Sequence, residues 1–346
     1  MLSSYFPRPD KSQIRRWRTV LASIGLLVMS ACASVDSSAP NLPKPNWGLA
    51  DMPSQKGRIF LVTGGTSGIG YESAKALAAA GAQVVIAARN PERGEETIAS
   101  IRQETPNARV RFEALDLGDL ASVRALGERL NASLPRLDGL INNAGIMEPP
   151  ERSISAEGFE LQFAVNYLGH FALTAELLPL LQKADAPRVV TLSSIAASRG
   201  TLHFEDLQFE QAYDSLDAYS QSKLACLVFA LELQRRSDAA GWGLQSMASH
   251  PGLSRTNLQA HRGFVRRSLR VFFQTAAQGA LPTLYAATAE DAKGGEYYGP
   301  TGLIEARGPL GLAKVPPAAT DAEAAARLWS VSEELSGTRF PTRLAN

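Results

Sequence analysis

The sequence predicts an α/β fold, a single doubly wound parallel sheet with helices on both faces. Three observations lead there. Short runs rich in Val, Ile and Leu alternate with helix-patterned stretches between residues 58 and 250, the mark of βαβ units. The runs are apolar at successive rather than alternate positions, as in "QVVIAA", so both faces of the sheet are covered. Gly- and Pro-rich punctuation falls between the runs and the helices, where such units turn.

The elements follow in order. "RIFLVT" (58–63) is the first strand, and "YESAKALAAAGA" the helix after its glycine loop. "QVVIAA" (83–88) lies between Gly81 and Asn90-Pro91 and is the second. A polar helical stretch leads to "ARVRFEAL" (108–115), and "SVRALGERLNA" leads to "LDGLINN" (137–143). The periodic stretch from Gly158 to Lys183 reads as one helix. "PRVVTLSS" (187–194) is the fifth strand, a helix spans about 217–236, and "GLQSMASH" (243–250) is the sixth strand. Alternation of this kind assembles as a Rossmann-type sheet.

The chain has 346 residues, with 35 Lys and Arg against 34 Asp and Glu. That balance gives no footprint for nucleic acid. Two cysteines exclude a disulfide framework, and the four histidines lie too far apart in sequence to suggest a metal-ligand cluster. No repeat or second boundary interrupts residues 47–346, read as one domain. Ahead of it, residues 1–32 have a basic head, an apolar run from Thr19 to Met29 and small residues ending at Cys32, the layout of a secretory signal. The run is short for a transmembrane helix. "MSAC" resembles a bacterial lipobox with Met29 where Leu is usual, and Cys32 would take the lipid. Residues 33–46 read as a Pro/Ser-rich tether. The expected location is the cell envelope, lipid-anchored; the alternative is cytoplasmic, with the leader not a true signal.

The loop "TGGTSGIG" (63–70) joins the first strand to its helix. Residues without Cβ let backbone approach a pyrophosphate, and the helix N-terminus favours its charge. Gly64, Thr66, Ser67, Gly68, Ile69 and Gly70 are the candidate contacts; a plain Gly-rich turn is the bland alternative. At the end of the second strand an acid would hold an adenosine 2′-hydroxyl. Ala88 stands there and Arg89 follows, and a guanidinium suits a 2′-phosphate. NADP, as NADPH, is therefore expected over NAD, unless Arg89 is only a solvated loop charge. Asp116 ends the third strand and could accept from an adenine amino group, with Leu117 beside it; Asp119 suits a helix N-cap. Asn143, Ala144 and Gly145 end the fourth strand, where ligands of open α/β sheets bind.

Together these motifs resemble the short-chain dehydrogenase/reductase family, over residues 47 to the C-terminus. The glycine loop, N-N-A-G at 142–145, Tyr219 and Lys223 in "YSQSK", Ser194 after the fifth strand, Asn166 in "AVNYLGH", and Pro251, Gly252 and Thr256 occur in the family's order. "AARNPERG", "HFEDLQ", "YYGPTG" and "RLWSVSEEL" point to its retinol-dehydrogenase and protochlorophyllide-reductase-like branch. The resemblance implies strand order 3-2-1-4-5-6-7 and a homodimer through the helices bearing Asn166 and Tyr219. It also implies roles for the side chains. Tyr219 exchanges a proton with the substrate oxygen, and Lys223, on the same helix face four residues on, supports the phenolate and holds the nicotinamide ribose. Ser194, preferred to Ser193, binds the substrate carbonyl. Asn166 keeps a water in a relay toward Lys223, and Thr256 meets the cofactor. The implied reaction interconverts an apolar alcohol and its aldehyde or ketone. The contrasting reading is a non-catalytic sensor or scaffold that binds the same cofactor. Cys226, Tyr167 and His170 read as packing. The substrate side is expected at 146–150, between Ser194 and Tyr219, and after Pro251, where an Arg-rich amphipathic stretch reads as a lid or as a surface helix.

Overall fold

The computed structural model describes residues 46–254 and 273–341. The leader, Cys32 and Thr256 lie outside them, as does the Arg-rich stretch after Pro251. Among the described residues one sheet holds eight strands: β1 (Ile59–Thr63), β2 (Gln83–Ala88), β3 (Arg109–Ala114), β4 (Gly139–Asn142), β5 (Arg188–Leu192), β6 (Gln245–Ser249), β7 (Tyr297–Pro300) and β8 (Leu310–Leu312). Their order is β3-β2-β1-β4-β5-β6-β7-β8. The first seven run parallel. β8 pairs antiparallel with β7, Gly299 opposite Gly311. The first seven strands have the expected order 3-2-1-4-5-6-7, and β8 adds an antiparallel strand at one edge. β8 is three residues long and carries no readable period.

The helices are α1 (Gly68–Ala79), α2 (Pro91–Glu104), α3 (Leu120–Ser133), α4 (residues 161–181), α5 (Ser215–Ala240), α6 (Ala276–Thr288) and α7 (Ala322–Ser336). Short polar side chains set their starts. Asn90 caps α2 by accepting from Arg93 N–H, with Pro91 in the first turn. Asp119 caps α3, accepting from Ala121 and Ser122 N–H, the role its position suggested. Asp214 caps α5, and Gly241 ends it at φ 69°, a conformation that suits residues without Cβ. Those caps carry α5 beyond the 217–236 span read from periodicity. The single helix expected over 158–183 opens at Leu161 and contains a π-turn, Ala164–Leu168, before the regular run Gly169–Leu181. Such turns are frequent at functional sites, and this one contains Asn166.

Two apolar layers sandwich the sheet. α1, α2 and α6 contribute to one core, with Leu77, Ile98 and Leu284 against Val62, Val84 and Met247. α3, α4, α5 and α7 contribute to the other, with Leu126, Phe171, Phe229 and Trp329 against Leu61, Val85 and Leu140. Trp329 of α7 stacks on Phe229 of α5 at 5.9 Å and meets Phe171 of α4 edge-on at 5.0 Å. Arg236 lies 4.2 Å over its ring, and Phe340 closes the cluster at 4.6 Å. Tyr167 O–H bonds Ser332 at 2.6 Å, so α7 is pinned to the π-turn region of α4. Among the described residues no helix is long and apolar enough to cross a membrane.

Trp329 is 2% exposed, so Trp329→Ala should cost about 3–5 kcal/mol of stability through lost contacts and the cavity left behind. Urea unfolding followed by far-UV circular dichroism checks this; an unchanged midpoint would show that α7 does not lock the second core.

Candidate active site

The strand order reverses between β1 and β4, and ligand clefts of open α/β sheets form beyond the carboxyl ends of the strands at such a point. Here a cleft of about 590 Å³ opens, walled by the loops after β1, β2, β3, β4, β5 and β6.

At one end of it lie Gly64, Thr66, Ser67, Gly68, Ile69 and Gly70. Gly64 has φ +65°, and a Cβ there would stand 2.9 Å from Ala144 Cα; a Cβ on Gly70 would collide with Asn143 Nδ2 and the Gly64 carbonyl. The loop after β1 is therefore pressed against the loop after β4. Ser67 is the N-cap of α1 and makes no side-chain cap bond, and the first-turn residues Gly68, Ile69 and Gly70 line the cleft, where helix N-termini favour anions. Beyond the ends of β2 and β3, Ala88, Arg89, Asp116 and Leu117 line the wall, joined by Asn90 and Arg93. Among the described residues neither the Arg89 nor the Arg93 guanidinium has a hydrogen-bond or ion-pair partner. Arg93 was not anticipated; its signal was the cap Asn90-Pro91, which starts α2 and presents Arg93 in the first turn. Asp116 turns one oxygen back to accept from Gly118 N–H at 2.9 Å.

Asn143, Ala144 and Gly145 form the floor. The Thr63 hydroxyl, at the end of β1, accepts from Asn143 N–H at 2.9 Å and Ala144 N–H at 3.0 Å. Asn143 Nδ2 donates to the Thr63 carbonyl at 2.7 Å.

At the far end Ser194, Tyr219 and Lys223 share the cleft. The two serines after β5 separate by what their protons do. Ser193 is buried and donates to the Lys223 carbonyl at 2.7 Å. Ser194 is half-buried and its Oγ accepts from Ala196 N–H at 3.2 Å, which leaves its own proton for a ligand. Tyr219 is 6% exposed. Lys223 Nζ sits 6.0 Å from the centre of the Tyr219 ring and donates to the Leu192 carbonyl at 3.0 Å. An ammonium has three donors, so two remain.

Asn166 is not on the cleft wall but one layer behind it. Its Oδ1 accepts from Ile146 N–H at 2.8 Å, and its Nδ2 donates to Ile146 O at 3.0 Å and Ser222 Oγ at 2.9 Å. Its own carbonyl accepts from His170 at 2.9 Å and from the Cys226 thiol at 3.2 Å. In the structure its side chain clamps the loop after β4. Cys226 is buried, and burial pushes its thiol up. Tyr167 is core. His170 is buried too, yet it touches Thr63 and Asn166, a contact that sequence separation concealed. Pro251 and Gly252 line the cleft with Leu253, Ser254, Ile304 and Ala306. His250, just before them, accepts from Gly252 N–H at 3.2 Å, and burial pushes it down to about 4, so it stays neutral.

The arrangement can hold a phosphorylated dinucleotide and present a hydroxyl, a phenol and an ammonium beside it. Comparison with known proteins agrees. The family profile for short chain dehydrogenases matches residues 58–263. Mouse polyprenol dehydrogenase is 40% identical over 297 residues, 83% of this chain and 86% of that protein. Mouse retinol dehydrogenase 12 is 39% identical over 289 residues, 82% and 88%. A solved protein from Mycobacterium paratuberculosis is 40% identical with a TM-score of 0.73, over 86% of this chain and 99% of that one. A short chain dehydrogenase from Escherichia coli, solved in complex with NADPH, is 27% identical with a TM-score of 0.56, over 70% and 96%. With its glycine loop, Ser194, Tyr219 and Lys223 in one cleft and its sequence matched over most of its length, the chain belongs to the short-chain dehydrogenase family, in its retinol-dehydrogenase-like branch.

Proposed function

We propose that this oxidoreductase interconverts an apolar alcohol and its aldehyde or ketone, with NADP(H) as cofactor and Tyr219 as acid/base. The observation that carries the reading is Ser194, Tyr219 and Lys223 at one end of a cleft whose other end fits a phosphorylated dinucleotide. The fit rests on two features of the chain. Gly64 and Gly70 hold their loops closer than any side chain would allow, and two guanidiniums with no partner among the described residues stand where Ala88 replaces an acid, matching a 2′-phosphate. NADPH in the Escherichia coli relative supports the same preference.

Bound there, the nicotinamide supplies or accepts the hydride. In the reducing direction the Ser194 hydroxyl donates a hydrogen bond to the carbonyl oxygen and keeps its proton, stabilising charge that develops there. Tyr219 O–H then gives its proton to that oxygen. The Lys223 ammonium lies beside the phenol and favours the negative charge left on it; its two remaining donors suit ribose hydroxyls. Asn166 holds Ile146, and with it the loop after β4, and a water kept by Asn166 would complete a path for protons to Lys223. Pro251 and Gly252, with Thr256 beyond the described residues, fit the cofactor's carboxamide side. Around the reacting groups Ile146, Met147, Ile195, Leu216, Leu253 and Ile304 give the wall an apolar surface, beside Glu148, Ser198 and Arg199. That lining supports an apolar substrate, as do relatives that act on a polyprenol and on retinol.

The leader sequence further supports export and lipid attachment at Cys32, and the helices bearing Asn166 and Tyr219 a homodimer by family resemblance. Intact-mass measurement of the native protein should find cleavage before Cys32 with a diacylglycerol adduct; a chain retaining residues 1–31 would remove the anchor.

Tyr219→Phe should lower turnover of an apolar aldehyde by about 10²-fold or more, the scale of a lost general acid, while NADPH fluorescence titration gives an unchanged Kd. Wild-type binding of NADPH with no oxidation across a broad aldehyde panel would favour a sensor. Arg89→Gln should weaken NADPH about tenfold, the worth of one charge-assisted hydrogen bond, and leave NADH as it was. Equal losses for both cofactors would remove the 2′-phosphate contact.

A further inference from the structure

We propose that His170 is a positioning residue: a neutral imidazole, protonated at Nδ1, that ties the dinucleotide loops to the catalytic helix. The inference rests on the function proposed above but begins from hydrogen-bond polarity. His170 is 1% exposed. Its Nδ1 lies 2.9 Å from the Asn166 carbonyl. A carbonyl only accepts, so Nδ1 carries the proton. Its Nε2 lies 2.8 Å from Thr63 Oγ1.

Burial keeps the ring neutral, and the nearby Lys223 ammonium adds to that; the group is pushed down to about 4. In a neutral ring protonated at Nδ1, Nε2 is an acceptor. Thr63 must therefore donate its one proton to His170. That same oxygen accepts from Asn143 and Ala144 N–H, and its lone pairs are then used. One polarised chain results. It runs from the N–H groups of the loop after β4, through the Thr63 hydroxyl and the imidazole, to the carbonyl of Asn166. Asn166 in turn holds Ile146 at both its N–H and its carbonyl, closing a circuit through the same loop. Thr63 and His170 are 107 residues apart, so the link joins strand β1 to helix α4.

Packing alone does not require this polarity. Without His170 the Thr63 proton has another acceptor, the Ile141 carbonyl at 3.3 Å. Loss of the ring would then let the hydroxyl turn away and the loop settle elsewhere, with the sheet intact. The expected damage falls on the geometry of the site more than on the fold.

Nitrogen-15 spectra of the full-length protein labelled at histidine test the tautomer without any substrate. One imidazole should show protonated Nδ1 and bare Nε2 and should not titrate between about pH 5.5 and about pH 8. An Nε2–H tautomer for His170, or titration near its ordinary value, overturns the proposal. In kinetics, His170→Leu should lower kcat about tenfold, the scale of one lost orienting hydrogen bond, with the carbonyl substrate's KM nearly constant. His170→Gln, whose carbonyl oxygen can still accept from Thr63, should recover part of that loss. A lower melting temperature with wild-type kcat and NADPH Kd in both variants would reduce His170 to packing. If His170→Leu does not fold, His170→Gln carries the comparison: wild-type kcat and Kd in it, together with an Nε2–H tautomer of His170 in the unsubstituted protein, overturn the link. Absence of turnover in the wild type would count against the proposed reaction alone, since the tautomer and the NADPH Kd are read without it.

Discussion

Where strands β1 and β4 part, the backbone leaves the ladder, and the half-buried N–H groups of Asn143 and Ala144 look for acceptors outside it, although Asn143 also reaches the Ile141 carbonyl at 3.0 Å. The Thr63 hydroxyl meets that need. An unpaired buried donor costs on the order of 1–3 kcal/mol; for these half-buried groups the loss would fall mainly on Ala144, since Asn143 N–H keeps the Ile141 carbonyl. One side-chain oxygen satisfies both. The same opening is what makes a cleft at all, so the feature that threatens the sheet's hydrogen bonding also creates its binding surface. The close approach at Gly64 and Gly70, the clamp of Asn166 on Ile146 and the contact with His170 all build outward from this point.

Charge in the site is arranged with similar economy. Lys223 is 5% exposed, and among the described residues no carboxylate pairs with it. A buried cation of this kind is costly unless its donors find oxygen; Leu192 provides one acceptor. The two histidines at the sheet's mouth, His170 and His250, are both held neutral by burial, so neither adds a competing positive charge. At the reacting end of the cleft the Lys223 ammonium stands 6.0 Å from the centre of the Tyr219 ring, and Glu148 and Arg199 also line the wall.

Much of this was legible in the sequence because it depends on local spacing. Glycines before a helix, two amides at a strand end, and Tyr219 four residues before Lys223 each state their geometry in a few consecutive letters. Six of the eight strands showed as apolar runs for the same reason. What stayed hidden depends on long separations or short elements. Nothing in the letters connects Thr63 to His170, and a three-residue strand such as β8 has too few positions to show a pattern. The π-turn around Asn166 is invisible because its residues have ordinary helical character. The choice between Ser193 and Ser194 became physical only when each proton was followed to its acceptor. Arg93 was missed although its cap, Asn90, was in plain view.

The sheet's two margins have a consequence for the protein's behaviour in crowded surroundings. A long bare strand at a border invites another chain to pair with it. At one border β8 stops after three residues, between Pro309 and Lys314, too short to template a neighbour. At the other, β3 carries Arg109, Arg111 and Glu113, the last tied to Arg129 at 3.1 Å. Neither border offers a smooth apolar rail, so a sheet with so oily a middle is protected from stacking edge to edge into fibrils.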